Sequence, residues 1–168
     1  LKYQGLLAPF FYGEPLSDER MPDLIAYARA KLPKARIELN SNGFLFTVKL
    51  YKKLIKAGVD RFMVSQYSNS MAPAMVKLFS YLKTRPKKEN KIIYRLFNED
   101  CKSYEIYNRG GEVKTARLPD RPSCLYGPGT VIVDYVGNVV LCCNDYHSSV
   151  IFGNLNKERI IDIWNSKK

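Results

Sequence analysis

A chain of 168 residues with 46% hydrophobic content has room for one ordinary domain, or one and a fraction, and enough apolar side chains for a packed core, which excludes wholesale disorder. Its formal charge of +11 invites a nucleic-acid partner, but the densest basic segment, Lys83-Thr84-Arg85-Pro86-Lys87-Lys88-Glu89-Asn90-Lys91, has no interleaved aromatics and contains a proline, as a solvated helix-to-strand connection does. No apolar run approaches the ~20 residues needed to cross a bilayer, and the opening LKYQGLLAPFFYGEP lacks a signal-peptide cleavage pattern. Four cysteines, two of them adjacent, make a poor disulfide framework and suit metal-bound thiolates in a reducing compartment. The expectation is a cytoplasmic protein with neither a membrane nor a nucleic-acid partner.

In chain order, residues 1–12 are apolar and run into Gly13-Glu14-Pro15, the pattern of a buried strand ending in a loop. Ser17 or Asp18 is placed to cap a helix over Met21–Leu32, where Leu24, Ile25, Ala28 and Leu32 share a face. Ala35–Leu39 reads as a strand closed by Asn40-Ser41-Asn42-Gly43, and Val48–Ala57 as an amphipathic helix capped by Gly58. A strand over Arg61–Val64 ends at Ser65-Gln66; a helix over Met71–Lys83 and a strand over Lys91–Leu96 follow. This alternation predicts parallel βα units, in an open doubly wound sheet or a (β/α) barrel. In both architectures chemistry gathers at the C-terminal strand ends, where Gly13-Glu14-Pro15, Asn42-Gly43 and Ser65-Gln66 all fall.

The second half is organised by its cysteines. Cys124 is separated from Gly137 by twelve residues, and Gly137 from Cys142 by four. TVIVD and NVVLC, around Tyr135-Val136-Gly137, predict a β-hairpin that can bring the two thiols together. Such a pair can be half of a metal site, a disulfide or two buried thiols. Cys143 points to the opposite strand face and is expected to pack rather than ligate. His147 reads as a solvent-facing loop residue, and Ile160, Ile161, Ile163 and Trp164 as the apolar face of a short closing helix.

The combination C-x12-G-x4-C, Cys143, Asp145, Gly153-Asn154 and Ile161-x-Ile163-Trp164 resembles the start of a SPASM or twitch domain. These are C-terminal extensions of radical S-adenosylmethionine (SAM) enzymes that hold auxiliary iron–sulfur clusters. FYGEPL resembles the family's Gly-Gly-Glu-Pro motif, with Tyr12 in place of the first glycine; Asn40-Ser41-Asn42-Gly43 resembles its Thr/Ser-Asn-Gly strand ending; Val64-Ser65-Gln66 resembles the strand end that reaches the cofactor's ribose and carboxylate. The resemblance implies that Gly13, Glu14, Pro15, Asn42, Ser65 and Gln66 bind SAM and that Cys124 and Cys142 ligate an auxiliary [4Fe-4S] cluster. Asn108-Arg109-Gly110-Gly111 resembles a cyclitol-oxidising branch of the family and implies a catalytic Arg109 that orients substrate, while Asn144 stands where that branch has an acidic contact. The departure is the C-x3-C-x2-C loop of the catalytic [4Fe-4S] cluster, which this sequence lacks. The reading is therefore a piece that opens in the second barrel strand and stops before the final cysteines.

The expected fold is α/β: a partial (β/α) TIM-like barrel over 1–117, followed by a small SPASM/twitch hairpin-plus-helix domain over 118–168. The implied activity is reductive cleavage of SAM to a 5′-deoxyadenosyl radical and oxidation of a small sugar- or cyclitol-like alcohol, with the auxiliary cluster accepting an electron and an external donor such as flavodoxin or ferredoxin supplying one. The alternatives are a SPASM enzyme that modifies a peptide and a non-enzymatic, metal-stabilised binding module.

Overall fold

The computed structural model describes residues 3–97 and 129–166. The chain divides into two compact units, Leu1–Tyr104 and Glu105–Lys168. The boundary expected at 117/118 lies outside the described residues.

The first unit is α/β. Strands β1 (Leu6–Leu7), β2 (Arg36–Ser41), β3 (Arg61–Gln66) and β4 (Ile92–Leu96) form a sheet in that order, with every pairing parallel. Helices α1 (Met21–Lys31), α2 (Val48–Ala57) and α3 (Pro73–Lys83) supply the crossovers. The expected long first strand shrinks to two residues, and Phe10 and Tyr12 stand largely exposed. Its ladder with β2 ends after Leu7, and two residues on stands Pro9, which has no N–H to continue it.

Helix ends follow local chemistry. Thr47 accepts from Leu50 N at 3.2 Å to open α2, and Gly58 closes it at φ 113°, a conformation that favours glycine. Helix α1 starts on Arg20 without a side-chain cap. Asp18, one of the two expected caps, instead accepts from the backbone and guanidinium of Arg20, which pulls its carboxyl down to about 2. A second arginine joins three elements: the Arg29 guanidinium donates to Gly58 O (2.8 Å) and Ala35 O (2.6 Å) and pairs with Asp60, whose carboxylate accepts from Ile37 N.

Strand alternation sorts the sheet into two faces. Ile37, Leu39, Phe62 and Val64 are fully buried against the helices, with Ile92 and Tyr94 packed on the same core. Phe46, Tyr51 and Phe62 form its aromatic centre, with ring centroids 4.8–5.9 Å apart. The opposite face carries Glu38, Asn40, Arg61, Met63, Ser65, Ile93 and Arg95. There Arg61 is ion-paired to Glu38, its partner in register, and the Arg95 guanidinium lies 3.9 Å from the Met63 sulfur.

The second unit contains an antiparallel sheet, β5 (Ile132–Val133), β6 (Asn138–Val140) and β7 (Ile151–Asn154), and a short helix α4 (Ile160–Trp164). Only Ile163 of the expected apolar helix face is buried; Ile160, Ile161 and Trp164 are about half exposed. No helix among the described residues is long and apolar enough to cross a membrane.

Candidate functional site

In the first unit the candidate residues line the C-terminal edge of the parallel sheet. Gly13 has φ 93°, and nothing lies within 4 Å of where a Cβ would stand, so its backbone is open to close approach. Glu14 caps the short 3-10 turn Pro15–Ser17. Its carboxylate accepts from Leu16 N at 3.1 Å within its own loop and from Asn42 N at 2.7 Å across the next strand end. Two adjacent strand-end loops are thus fastened by one side chain. A carboxylate has about four acceptor positions, so after these two bonds Glu14 retains capacity for a cationic donor.

The Asn42 loop is held in turn. Asn42 Oδ1 accepts from Phe44 N at 3.0 Å, and Ser41 Oγ from Gly43 N at 3.0 Å. Gly43 sits at φ 82°, where a Cβ would come within 2.8 Å of Met75 Cγ and 3.0 Å of Val64 Cγ1. Ser65 lies on the sheet face away from the helices. Gln66 is on the helix face and buried, with both ends of its amide engaged: Oε1 accepts from the Tyr94 hydroxyl, and Nε2 donates to Ser68 O at 2.6 Å. Sequence reasoning grouped Ser65 with Gln66 and overlooked Tyr94. The alternation that assigns Val64 to the core also assigns Gln66 there, and that signal was present in the sequence. An ammonium group fits this edge: the open Gly13 backbone, the remaining Glu14 acceptor positions and the Ser65 hydroxyl are what such a ligand needs.

The second unit builds its geometry from turns. Asp134 accepts from Val136 N, Asn138 N and Asn138 Nδ2 at 2.8–3.0 Å, closing the hairpin around Gly137 at φ 89°. Slight burial pushes the Asp134 carboxyl up, but the hydrogen bonds from Asn138, Val136 and Gly137 outweigh it and hold the group below its ordinary value. Asn154 donates from Nδ2 to Asn138 Oδ1 (2.8 Å) and Val136 O (3.2 Å), tying β7 to the turn. A Cβ on Gly153 would come within 2.8 Å of Ile163 Cγ1, so the glycine lets α4 close on the strand. Gly137, Gly153-Asn154 and Ile163 thus share one physical purpose, a tightly folded hairpin with a helix laid against it.

Cys142 stands two residues beyond the end of β6. Its Sγ accepts from Asn144 N at 3.4 Å, and its carbonyl accepts from Asp145 N. Asp145 folds the next loop back by accepting from Ser149 Oγ and N and from Val150 N, and these bonds lower its carboxyl from the usual range. Cys142 is half-buried, whereas Cys143 is exposed rather than packed, because the strand has ended and alternation no longer applies. A half-buried sulfur held by a backbone donor in a tight turn suits Cys142 to a metal-bound ligand. Among the described residues no group of three or more His, Cys, Asp or Glu is placed to hold a metal ion. Cys124 and Arg109 lie outside the described residues.

Residues 124–168 match the SPASM family model, described as an iron–sulfur cluster-binding domain. The C-terminal segment carries a SPASM signature. Across its whole length the chain is 26% identical, over 170 residues, to S-adenosyl-L-methionine-dependent 2-deoxy-scyllo-inosamine dehydrogenase of Niallia circulans, and it spans 65% of that protein. Among solved structures it superposes on BtrN in complex with AdoMet and 2-DOIA, with a TM-score of 0.82 and 25% identity, covering 98% of this chain and 63% of that one. BtrN in an open conformation matches with a TM-score of 0.68 at 22% identity, covering 98% and 60%, a likeness of fold. The chain thus spans just under two thirds of the relatives it matches, and the expected resemblance to SAM-dependent enzymes with a SPASM domain stands on these findings.

Proposed function

We propose that this chain is part of a radical SAM oxidoreductase that oxidises a small, cyclitol-like alcohol. The observation that carries the reading is the joint match of residues 124–168 to an iron–sulfur cluster-binding domain and of the whole chain to a SAM-dependent cyclitol dehydrogenase. The four parallel strands are read as an arc of a (β/α) barrel over 1–117, and the hairpin with its helix as the auxiliary-cluster domain over 118–168. Three strand-end loops on one edge, two of them fastened by Glu14, support a shared ligand site.

When bound, SAM with a reduced [4Fe-4S] cluster supplies a 5′-deoxyadenosyl radical, and an auxiliary cluster supplies an electron sink. Glu14, with the Gly13–Pro15 backbone, holds the ligand's ammonium group. Asn42 keeps its loop in register, and the Ser65 hydroxyl faces the ligand. Arg109 orients the substrate hydroxyl with its planar donor fork. Cys142, and Cys124 as its partner, hold the auxiliary cluster. The carbinol carbon loses a hydrogen atom and then an electron, the hydroxyl loses a proton, and a carbonyl results. An external flavodoxin- or ferredoxin-type donor supplies the electron for SAM cleavage.

The test is anaerobic incubation of the intact, iron-reconstituted protein with SAM, a reductant and amino-cyclitol alcohols, with 5′-deoxyadenosine and ketone measured together. Stoichiometric formation of both is expected; reduced, cluster-loaded protein that yields no 5′-deoxyadenosine would overturn the reading. Glu14→Ala is expected to weaken SAM binding roughly tenfold or more, as loss of a charge-assisted hydrogen bond does.

A further inference from the structure

Behind the candidate SAM edge lies a contact that the reading above does not use. Gln66, the last residue of β3, is buried on the helix side of the sheet. Its Oε1 accepts from the Tyr94 hydroxyl on β4, and its Nε2 donates to the carbonyl of Ser68, two residues into the following loop. That loop continues through a hydrogen bond from Ser68 Oγ to Ser70 O at 2.7 Å. Gln66 O accepts from Phe97 N at 2.8 Å, and the Tyr67 and Phe97 rings stack with centroids 5.6 Å apart. Gln66 and its neighbour Tyr67 thus both connect the loop after β3 to the strand beside it. The tyrosine is itself fixed, edge-on, against Phe79 of α3 at 5.3 Å between centroids.

We infer that Tyr94 and Gln66 form a positioning pair that sets the loop after β3, and with it Ser65, for SAM binding, without touching the ligand. The inference rests on the reading of this edge as the SAM site. The physical case is one of satisfaction: a buried amide must have partners for both of its ends, and the two available here lie on different elements. A side chain with one conformation that satisfies both ends fixes the loop relative to the neighbouring strand. Burial raises the Tyr94 hydroxyl above its ordinary value, so it stays protonated and remains a donor throughout the working pH range. Removing that donor leaves Oε1 unpaired and frees the amide to rotate, and the Ser68 carbonyl then loses its donor as well.

The experiment is a double-mutant cycle read in SAM affinity on the intact protein, using Tyr94→Phe, Gln66→Leu and their combination, with amide hydrogen exchange over residues 67–70 as the second readout. Tyr94→Phe is expected to raise the SAM dissociation constant about three- to tenfold and to speed exchange in the loop. The double variant is expected to be no weaker than Gln66→Leu alone, since a pair acting as one unit cannot be lost twice. Independent, multiplying losses would overturn the pairing. Faster exchange with unchanged affinity would make the two residues merely structural and would equally overturn it. If Gln66→Leu fails to fold, Tyr94→Phe decides alone by the same two readouts. Wild-type protein that binds no SAM would fail differently: it would remove the site reading itself, and with it the role given to the pair.

Discussion

In Leu1–Tyr104 three helices bury their apolar faces on one side of a parallel sheet, and nine large side chains there, Phe46 and Phe62 among them, are fully enclosed. In Glu105–Lys168 only Val139, Val140 and Ile163 are buried hydrophobics among the described residues, while Tyr135, Ile160, Ile161 and Trp164 face outward. Yet the second unit is densely hydrogen-bonded: Asp134, Asp145, Asn154 and Asn156 each satisfy or bridge turn backbone. The first unit is stabilised by area removed from water, while the described residues of the second are held by polar stitching that fixes geometry with little burial. A hairpin and helix with so few buried side chains among the described residues gain much from a ligand that binds only their folded form, and a cluster held by Cys142 would be such a ligand.

The strongest way to break this comparison is to remove the metal. Chelation of the reconstituted protein is expected to loosen the hairpin unit while the parallel sheet persists, seen as selective loss of exchange protection in residues 132–154. Cys142→Ala should lower iron content sharply, and Cys143→Ala should lower it little. Equal iron loss in the two would reverse the ligand assignment.

Truncation in the aromatic centre should act the other way. Phe62→Ala removes a fully buried ring in contact with two others, and a loss of about 3–5 kcal/mol in the stability of the first unit is expected by denaturant titration. A change below about 1 kcal/mol would mean that this unit does not depend on its core. A smaller loss is expected from Arg29→Ala, roughly 1–3 kcal/mol, since it leaves Asp60 without its guanidinium and the Gly58 and Ala35 carbonyls without their donor. Arg29→Lys should recover only part of it, because one ammonium cannot reproduce the fork.

The smallest effect sharpens the contrast from the polar side. The folded Asp134 carboxyl titrates below its ordinary 3.8, so the unfolded chain takes up the proton first as pH falls. The stabilisation is complete well above that ordinary value and is lost as pH falls through the depressed one. Amide shifts of Val136, Gly137 and Asn138 followed from neutral to acid pH should report it, and Asp134→Asn should abolish the dependence.

Much of the first unit was legible in the sequence because its signals are local: Gly58 closes α2 as expected, and β-branched and aromatic runs mark β3 and β4. Helix α3 begins at Pro73 rather than Met71, since proline suits the first helical turn and biases the residue before it toward extended backbone. What was not legible depends on partners far along the chain. The second bond of Glu14 reaches Asn42, Arg29 reaches Gly58 and Asp60, and Tyr94 reaches Gln66. No window of sequence contains both ends of those contacts. The Gly153-Asn154 motif was recognisable as a pattern, but its reason, a backbone on which α4 can lie and an amide that closes the hairpin turn, became visible only when Val136, Asn138 and Ile163 were in place.

The Asn42-Gly43 turn also bears on how this protein ages. An asparagine followed by glycine is the dipeptide most open to spontaneous deamidation, in which the glycine nitrogen attacks the side-chain carbonyl carbon and the ring so formed reopens to isoaspartate. Here that nitrogen's hydrogen is donated to Ser41 Oγ, while the Asn42 carbonyl oxygen is held by Phe44 N. Nucleophile and electrophile are each turned toward another partner, so the folded chain should keep Asn42 intact over storage that converts the same sequence in a short peptide, and a peptide map of aged protein would register the difference.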